Sequence, residues 1–197
     1  MGITGGIGSG KSMVCRMLHF MGVPIYYADI RAKWILSKHP AVIAAVKKLF
    51  GEEAYLPDGA YNRPFVAKMA FANPEKLAAL NAIVHPAVEA DSRAWHEALG
   101  PIAPYTVKEA ALMIESGSHR FLDKLVVVTA PEAVRLARVV ARDGMSEADV
   151  RRRMANQLPE AEKLRLADFV IQNDGRVPLI PQVVALHRAL LALAEKK

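Results

Sequence analysis

Short apolar runs alternate along this chain with longer amphipathic stretches, the pattern of an α/β protein built on a mainly parallel sheet. The runs predict strands over 2–4, 24–27, 105–107 (with an extension as far as residue 113 left open), 125–129 and 169–172. Leu125-Val126-Val127-Val128-Thr129 is the clearest, β-branched and apolar on both faces as a buried parallel strand requires. The amphipathic stretches predict helices over 11–21, stopped at Gly22, over 30–38, and over 41–50, stopped at Gly51. From Pro57 to Gly100 no strand pattern appears. After the turn Pro57-Asp58-Gly59, Asn62 and Asn73-Pro74 open helices, and a further helix restarts after His85-Pro86 toward Leu99, so this region reads as an all-helical insertion. A helical pair over 131–142 and 146–157 is joined at Asp143-Gly144, and Pro159 interrupts the pattern beyond it.

Composition narrows the class. A chain of 197 residues, 52% apolar and 23% charged, suits one domain with appendages and no long disordered tract. No apolar run approaches the roughly 18 residues of a membrane span. The glycines and Lys11 break up any signal-peptide core, and Gly6 stands where myristoylation wants Ser or Thr. Cys15 is the sole cysteine, which excludes an internal disulfide framework and a multi-cysteine zinc site, so a reducing cytoplasm is expected. The net charge of +6 favours anionic partners, and between Arg135 and Arg153 six arginines face three acids. Aromatics are only 7% and do not interleave with that cluster, which speaks against a stacking platform for nucleic acid. The expected partner is a small molecule, with neither nucleic acid nor membrane, and the chain a monomer or weak homo-oligomer.

Gly5-Gly6-Ile7-Gly8-Ser9-Gly10-Lys11-Ser12 fits G-x-x-x-x-G-K-[ST], the P-loop, and sits between a predicted strand and helix as that motif requires. Glycines at positive φ let consecutive N–H groups converge on phosphate oxygens, and the helix after the loop aims its partly positive N-terminus at the same oxygens. The nucleotide-binding set is Gly6, Ile7, Gly8, Ser9, Gly10, Lys11, Ser12 and Met13, with Lys11 reaching the β/γ-phosphates of ATP and the Ser12 hydroxyl ligating Mg²⁺. The strand ahead of the motif has only residues 1–4, so it is either short or continued upstream.

The rest of the constellation selects a chemistry. No N-K-x-D follows a strand, as a GTPase needs, and the best apolar strand ends at Thr129-Ala130-Pro131 rather than in an acid, so a small-molecule kinase is favoured. Asp29 follows the second strand, where the carboxyl ends of parallel strands form the ligand crevice; it either accepts a proton from an acceptor hydroxyl or N-caps the next helix. Arg135, Arg138 and Arg142 recur along one helical face, either a solvated basic face or a lid that offsets charge on the transferring phosphoryl.

The chain also resembles the dephospho-CoA kinase family over nearly its whole length. The resemblance rests on GITGGIGSGKS, on YAD followed by Arg31-Ala32-Lys33, and on Asn62-Arg63 and His85-Pro86. It continues in LMIESG, RVVARDG, RRMANQ and ADFVIQNDG. It implies a P-loop NTPase-type parallel sheet flanked by helices, with a nucleotide-binding core (1–56, 101–133 and 166–197), a helical CoA-binding region (57–100) and a helical lid (134–165). It further implies transfer of the γ-phosphoryl of ATP to the ribose 3′-hydroxyl of dephospho-CoA. Asp29 matches the catalytic base, Arg63 and His85 fall to the substrate side, and Asn173 either satisfies backbone near the nucleotide or only shapes a turn. The chain departs from the family in Tyr27, where many members carry an acid, and in Lys108-Glu109-Ala110-Ala111, where a proline is common. Glutamine often stands where Arg135 does, so Arg138 and Arg142 are the preferred lid residues. Glu109 and Glu115 either orient a metal-bound water or form salt bridges, and Cys15 reads as a small buried residue. Two rivals remain: a kinase for a nucleoside, nucleotide or shikimate-like acceptor, and a non-enzymatic nucleotide-switched or nucleic-acid-binding protein.

Overall fold

The computed structural model describes residues 1–195. Among them, β1 (Gly2–Thr4), β2 (Ile25–Tyr27), β3 (Val107–Glu109), β4 (Leu125–Thr129) and β5 (Phe169–Gln172) pair in parallel in the order β2-β3-β1-β4-β5. β1 is central, with Gly2 opposite both Lys108 and Leu125, and its three residues are fully paired and buried despite their small number. The winding changes direction at β1. In an open parallel sheet that switch point is where the strand ends leave a crevice, so the loop after β1 opens into it.

The helices are α1 (Lys11–Phe20), α2 (Ala28–Lys38), α3 (Pro40–Phe50), α4 (Arg63–Phe71), α5 (Pro74–Leu99), α6 (Glu132–Asp143), α7 (Glu147–Ala155), α8 (Glu160–Leu166) and α9 (Leu179–Ala194). The sheet core forms where Val14, Cys15 and Leu18 of α1 and Val183, Leu186 and Leu190 of α9 meet Ile3, Val126, Val128 and Ile171. Their three- and four-residue spacings put each set on one helical face, and each buried aliphatic side chain contributes about 1.5–3 kcal/mol. α6 and α7 make a smaller core of their own around Leu136, Val139 and Val150.

Two compact units result: Met1–Tyr27 with the chain from Ala98 onward, and Ala28–Glu97. In the second, α3 buries Val42, Val46 and Phe50, and the Tyr55 hydroxyl donates to the Leu36 carbonyl (2.8 Å). Arg31 of α2 grips Asp91 of α5 through Nε and Nη2. α2 and α3 therefore belong to the helical unit, which begins at Ala28 rather than at residue 57.

Local differences from the sequence reading have physical causes. β3 lies at Val107–Glu109, two residues beyond the expected start, because Lys108 and Glu109 occupy buried strand positions where charge is rare. Tyr105 stays outside the ladder, its hydroxyl 2.6 Å from His187 Nδ1. α2 begins at Ala28, so Asp29 lies within its first turn rather than ahead of it as a cap. α5 does not restart at Pro86 but runs through it. Pro159 does interrupt the helical pattern, between α7 and α8; it then opens α8, its carbonyl accepting from the Lys163 amide (3.3 Å), since proline lacks only a donor that a first turn does not use. α9 is absent from the sequence reading, its start marked only by Pro178.

Candidate functional site

The chain between Thr4 and Lys11 folds into a cradle. Gly8 (φ +79°) and Gly10 (φ +97°) adopt left-handed conformations, and a Cβ at Gly10 would occupy the place of the Asn173 amide. A Cβ at Gly6 would strike the Arg135 guanidinium, and one at Gly8 the Arg135 carbonyl. Close approach of α6 is thus a second reason for glycine here, beside room for a ligand. The Ser9 amide closes back on the Gly6 carbonyl (3.0 Å), while among the described residues the amides of Gly8, Gly10 and Ser12 donate to no protein acceptor. Unpaired donors at the N-terminus of α1 make a site for an anion.

Lys11 folds into the same loop. It is buried, and Nζ donates to the carbonyls of Gly5 (3.0 Å) and Gly6 (3.4 Å). Those neutral acceptors hold the ammonium in place for a phosphate that would bind it far more strongly. The next side chains, Ser12 and Met13, are exposed. Asn173 takes the first of its two readings: Nδ2 donates to the Ser9 carbonyl (2.8 Å), and its own amide donates to Thr129 (2.8 Å).

The three arginines of α6 separate. Arg135, the least favoured of them on sequence, is the one against the loop: it is buried, with Nε on the Ala130 carbonyl (3.0 Å) and Nη2 on Glu160 (3.1 Å). Arg138 is half-buried, and its Nη1 is shut off from solvent with no hydrogen-bond partner. Arg142 is exposed and bidentate to Asp143 (2.7 and 2.9 Å), holding that carboxyl below its ordinary range. Glu115 takes the ion-pair alternative, 3.0 Å from Lys163, which is only 1% exposed. Gln157, the last residue of RRMANQ, bonds the Ile7 amide through Oε1 (2.8 Å). No sequence periodicity links positions 7 and 157, so that contact was invisible before folding. Beneath the loop, burial and the nearby Glu109 push the Cys15 thiol far up, which leaves it an inert packing group. Burial, with Cys15 and Glu109 beside it, likewise raises Tyr27.

In the helical unit, Asp29, Arg63 and His85 are exposed, and their side chains make no hydrogen bond or ion pair among the described residues. Asp29 stands two residues beyond the carboxyl end of β2. Desolvation by surrounding protein lowers the pKa of His85. Among the described residues no group of three or more His, Cys, Asp or Glu could hold a metal ion, so a cation here would need ligands from a bound phosphate chain. The exposed, unbonded Ser12 hydroxyl fits that arrangement, since Mg²⁺ commonly takes one or two protein oxygens beside phosphates and water. No helix among the described residues is long and apolar enough to cross a membrane.

An amide cradle closed over a lysine, set at the switch point of a five-stranded parallel sheet, defines a P-loop protein of the α/β NTPase type. The family profile described as dephospho-CoA kinase (CoaE) matches residues 1–178. The dephospho-CoA kinase of Chlorobaculum tepidum is 41% identical over 201 residues, covering 99% of this chain and 96% of the relative. That of Salinibacter ruber is 42% identical over 176 residues, covering 89% and 88%. The crystal structure of a Thermus thermophilus protein superposes with a TM-score of 0.85 at 34% identity, covering 95% of each chain. The Campylobacter jejuni dephospho-CoA kinase shares the fold, with a TM-score of 0.72 at 24% identity and 97% and 96% of the two chains covered. The chain belongs to the dephospho-CoA kinase family.

Proposed function

We propose that the protein transfers the γ-phosphoryl of ATP to the ribose 3′-hydroxyl of dephospho-CoA, giving CoA and ADP, the last step of coenzyme A synthesis. The observation that carries this reading is the preformed cradle with Lys11 buried in it, in a chain of this family. The free amides of Gly8, Gly10 and Ser12 take phosphate oxygens of ATP, and Lys11 exchanges the Gly5 and Gly6 carbonyls for the β/γ-phosphates. Ser12 would hold Mg²⁺, which supplies charge neutralisation between the outer phosphates when bound.

Asp29 accepts the proton as the 3′-oxygen bonds to phosphorus and the bond from phosphorus to the bridging oxygen of ADP breaks. Its exposure and lack of a competing partner support that role. An ordinary carboxylate suffices, because the hydroxyl becomes acidic only as the new bond forms. In a lid over residues 134–165, Arg138 offsets charge developing on the transferring phosphoryl, a role its unpaired guanidinium nitrogen supports; Arg142 would join it by releasing Asp143. Arg63 and His85 bind the acceptor within the helical unit, and the unit of Met1–Tyr27 with the chain from Ala98 onward carries the nucleotide. The protein works in the cytoplasm on a small molecule, without nucleic acid or membrane, as a monomer or weak homo-oligomer. An assay of ADP release with dephospho-CoA beside nucleosides and shikimate tests the reading: turnover confined to dephospho-CoA supports it, and turnover only with another acceptor refutes it.

A further inference from the structure

The phosphate cradle is held from outside as well as by its own turns. Ile7, at the tip of the loop, points its N–H at Gln157 Oε1 (2.8 Å), and Gln157 Nε2 reaches the Ala111 carbonyl just past β3 (3.4 Å). One side chain from the end of α7 thus pins the loop tip to the carboxyl edge of the sheet. Gln157 is itself anchored through its neighbour in the chain. The Leu158 amide donates to Glu115 Oε1 (2.9 Å), and that carboxylate is ion-paired to the buried Lys163 of α8 (3.0 Å). Such a pair resists displacement, because losing Glu115 would strand the buried Lys163 charge. A cavity of about 590 Å³ beside Gly6 is bounded by Gln157, Arg135, Glu160 and Lys163.

We infer that Gln157 is a positioning residue for nucleotide binding: by taking the Ile7 amide it sets the loop so that the free amides of Gly8, Gly10 and Ser12 converge before ATP arrives. The inference deepens the kinase reading and rests on it for the identity of the anion. A loop ordered in advance binds more tightly than one ordered by its ligand, since the ordering cost is not charged to binding. Gln157 touches the nucleotide loop and the sheet edge.

The test uses the full-length protein and measures ATP affinity by calorimetry without acceptor, kinetic constants for both substrates, and melting temperature. Gln157→Met keeps the volume and removes both hydrogen bonds. ATP affinity is expected to fall roughly three- to tenfold, the worth of one such bond, with KM for dephospho-CoA unchanged. Unchanged ATP affinity overturns the inference. So does an equal weakening of both substrates with a large fall in melting temperature, which would mark a merely structural residue. Gln157→Glu retains an acceptor for Ile7 but adds negative charge beside the loop. Its ATP affinity is expected to drop at low salt and recover at high salt, and wild-type affinity at low salt counts against the inference. Calorimetry needs no acceptor, so it judges Gln157 even if dephospho-CoA proves not to be phosphorylated.

Discussion

Gly10 and Asn173 fit because each occupies the space the other leaves: the backbone stands at φ +97°, and the amide of Asn173 lies where a Cβ would be. Gly10→Ala therefore carries both backbone strain and a clash. A loss of about 1–2 kcal/mol in stability is expected in urea unfolding, with ATP binding weakened at the same time. Asp29 is the opposite kind of residue, exposed and unbonded. Asp29→Asn should leave stability within about 0.5 kcal/mol and ATP affinity unchanged, yet lower kcat by about 10²–10⁴-fold. Steady-state kinetics beside nucleotide calorimetry separate the two effects. Lys11, Ser12 and Asp29 could be proposed from the sequence because the roles given to them depend on a local motif or on a strand end. Arg135 and Gln157 were not, because their contacts with the loop join residues more than 100 positions apart and follow no period.

At the level of elements, the central strands could be read from β-branched runs, and β4 and β5 lie where the pattern puts them. The bounds of β3, read as 105–107 with an extension left open, were hard to fix because it carries Lys108 and Glu109, and a charged pair in a buried strand breaks the apolar pattern that marks one. Proline misled once, at Pro86. Pro159 and Pro178 precede α8 and α9, while Pro86 lies inside α5, where a helix can run through provided the rest of the segment favours it. Neighbouring alanines and leucines supply that propensity. Pro86 is exposed, so replacing it restores a backbone donor without disturbing the core. Pro86→Ala should stabilise the protein by up to about 3 kcal/mol, read as a higher denaturation midpoint, and a lower midpoint would show that the helix depends on the ring.

For the whole molecule, His85 and several aspartates, Asp168 among them, tie stability to pH in the same direction. Desolvation holds His85 below its ordinary value of 6.5, so the unfolded chain takes up a proton first; stability falls as pH drops below 6.5 toward the folded pKa and then levels. Asp168 is held below its ordinary 3.8 by Lys124 and by the Leu125 amide, where it joins β4 to β5. Its contribution is complete above 3.8 and is lost as pH falls through the lower folded value. Urea unfolding across pH should show a step from His85 and a more acidic one shared by Asp168 with Asp143, Asp149 and Asp174, and His85→Gln should abolish only the first. The division at Ala28 was harder to read from sequence, since α2 and α3 come after a core strand without a composition break and join the helical unit only through tertiary contacts such as Tyr55 to Leu36. The central claim is a single transfer between two small molecules. Phosphorus NMR of the product made from ATP and dephospho-CoA tests it most directly. A new phosphomonoester coupled to the ribose 3′ proton is the predicted result, and a phosphate at any other position, or none at all, contradicts it.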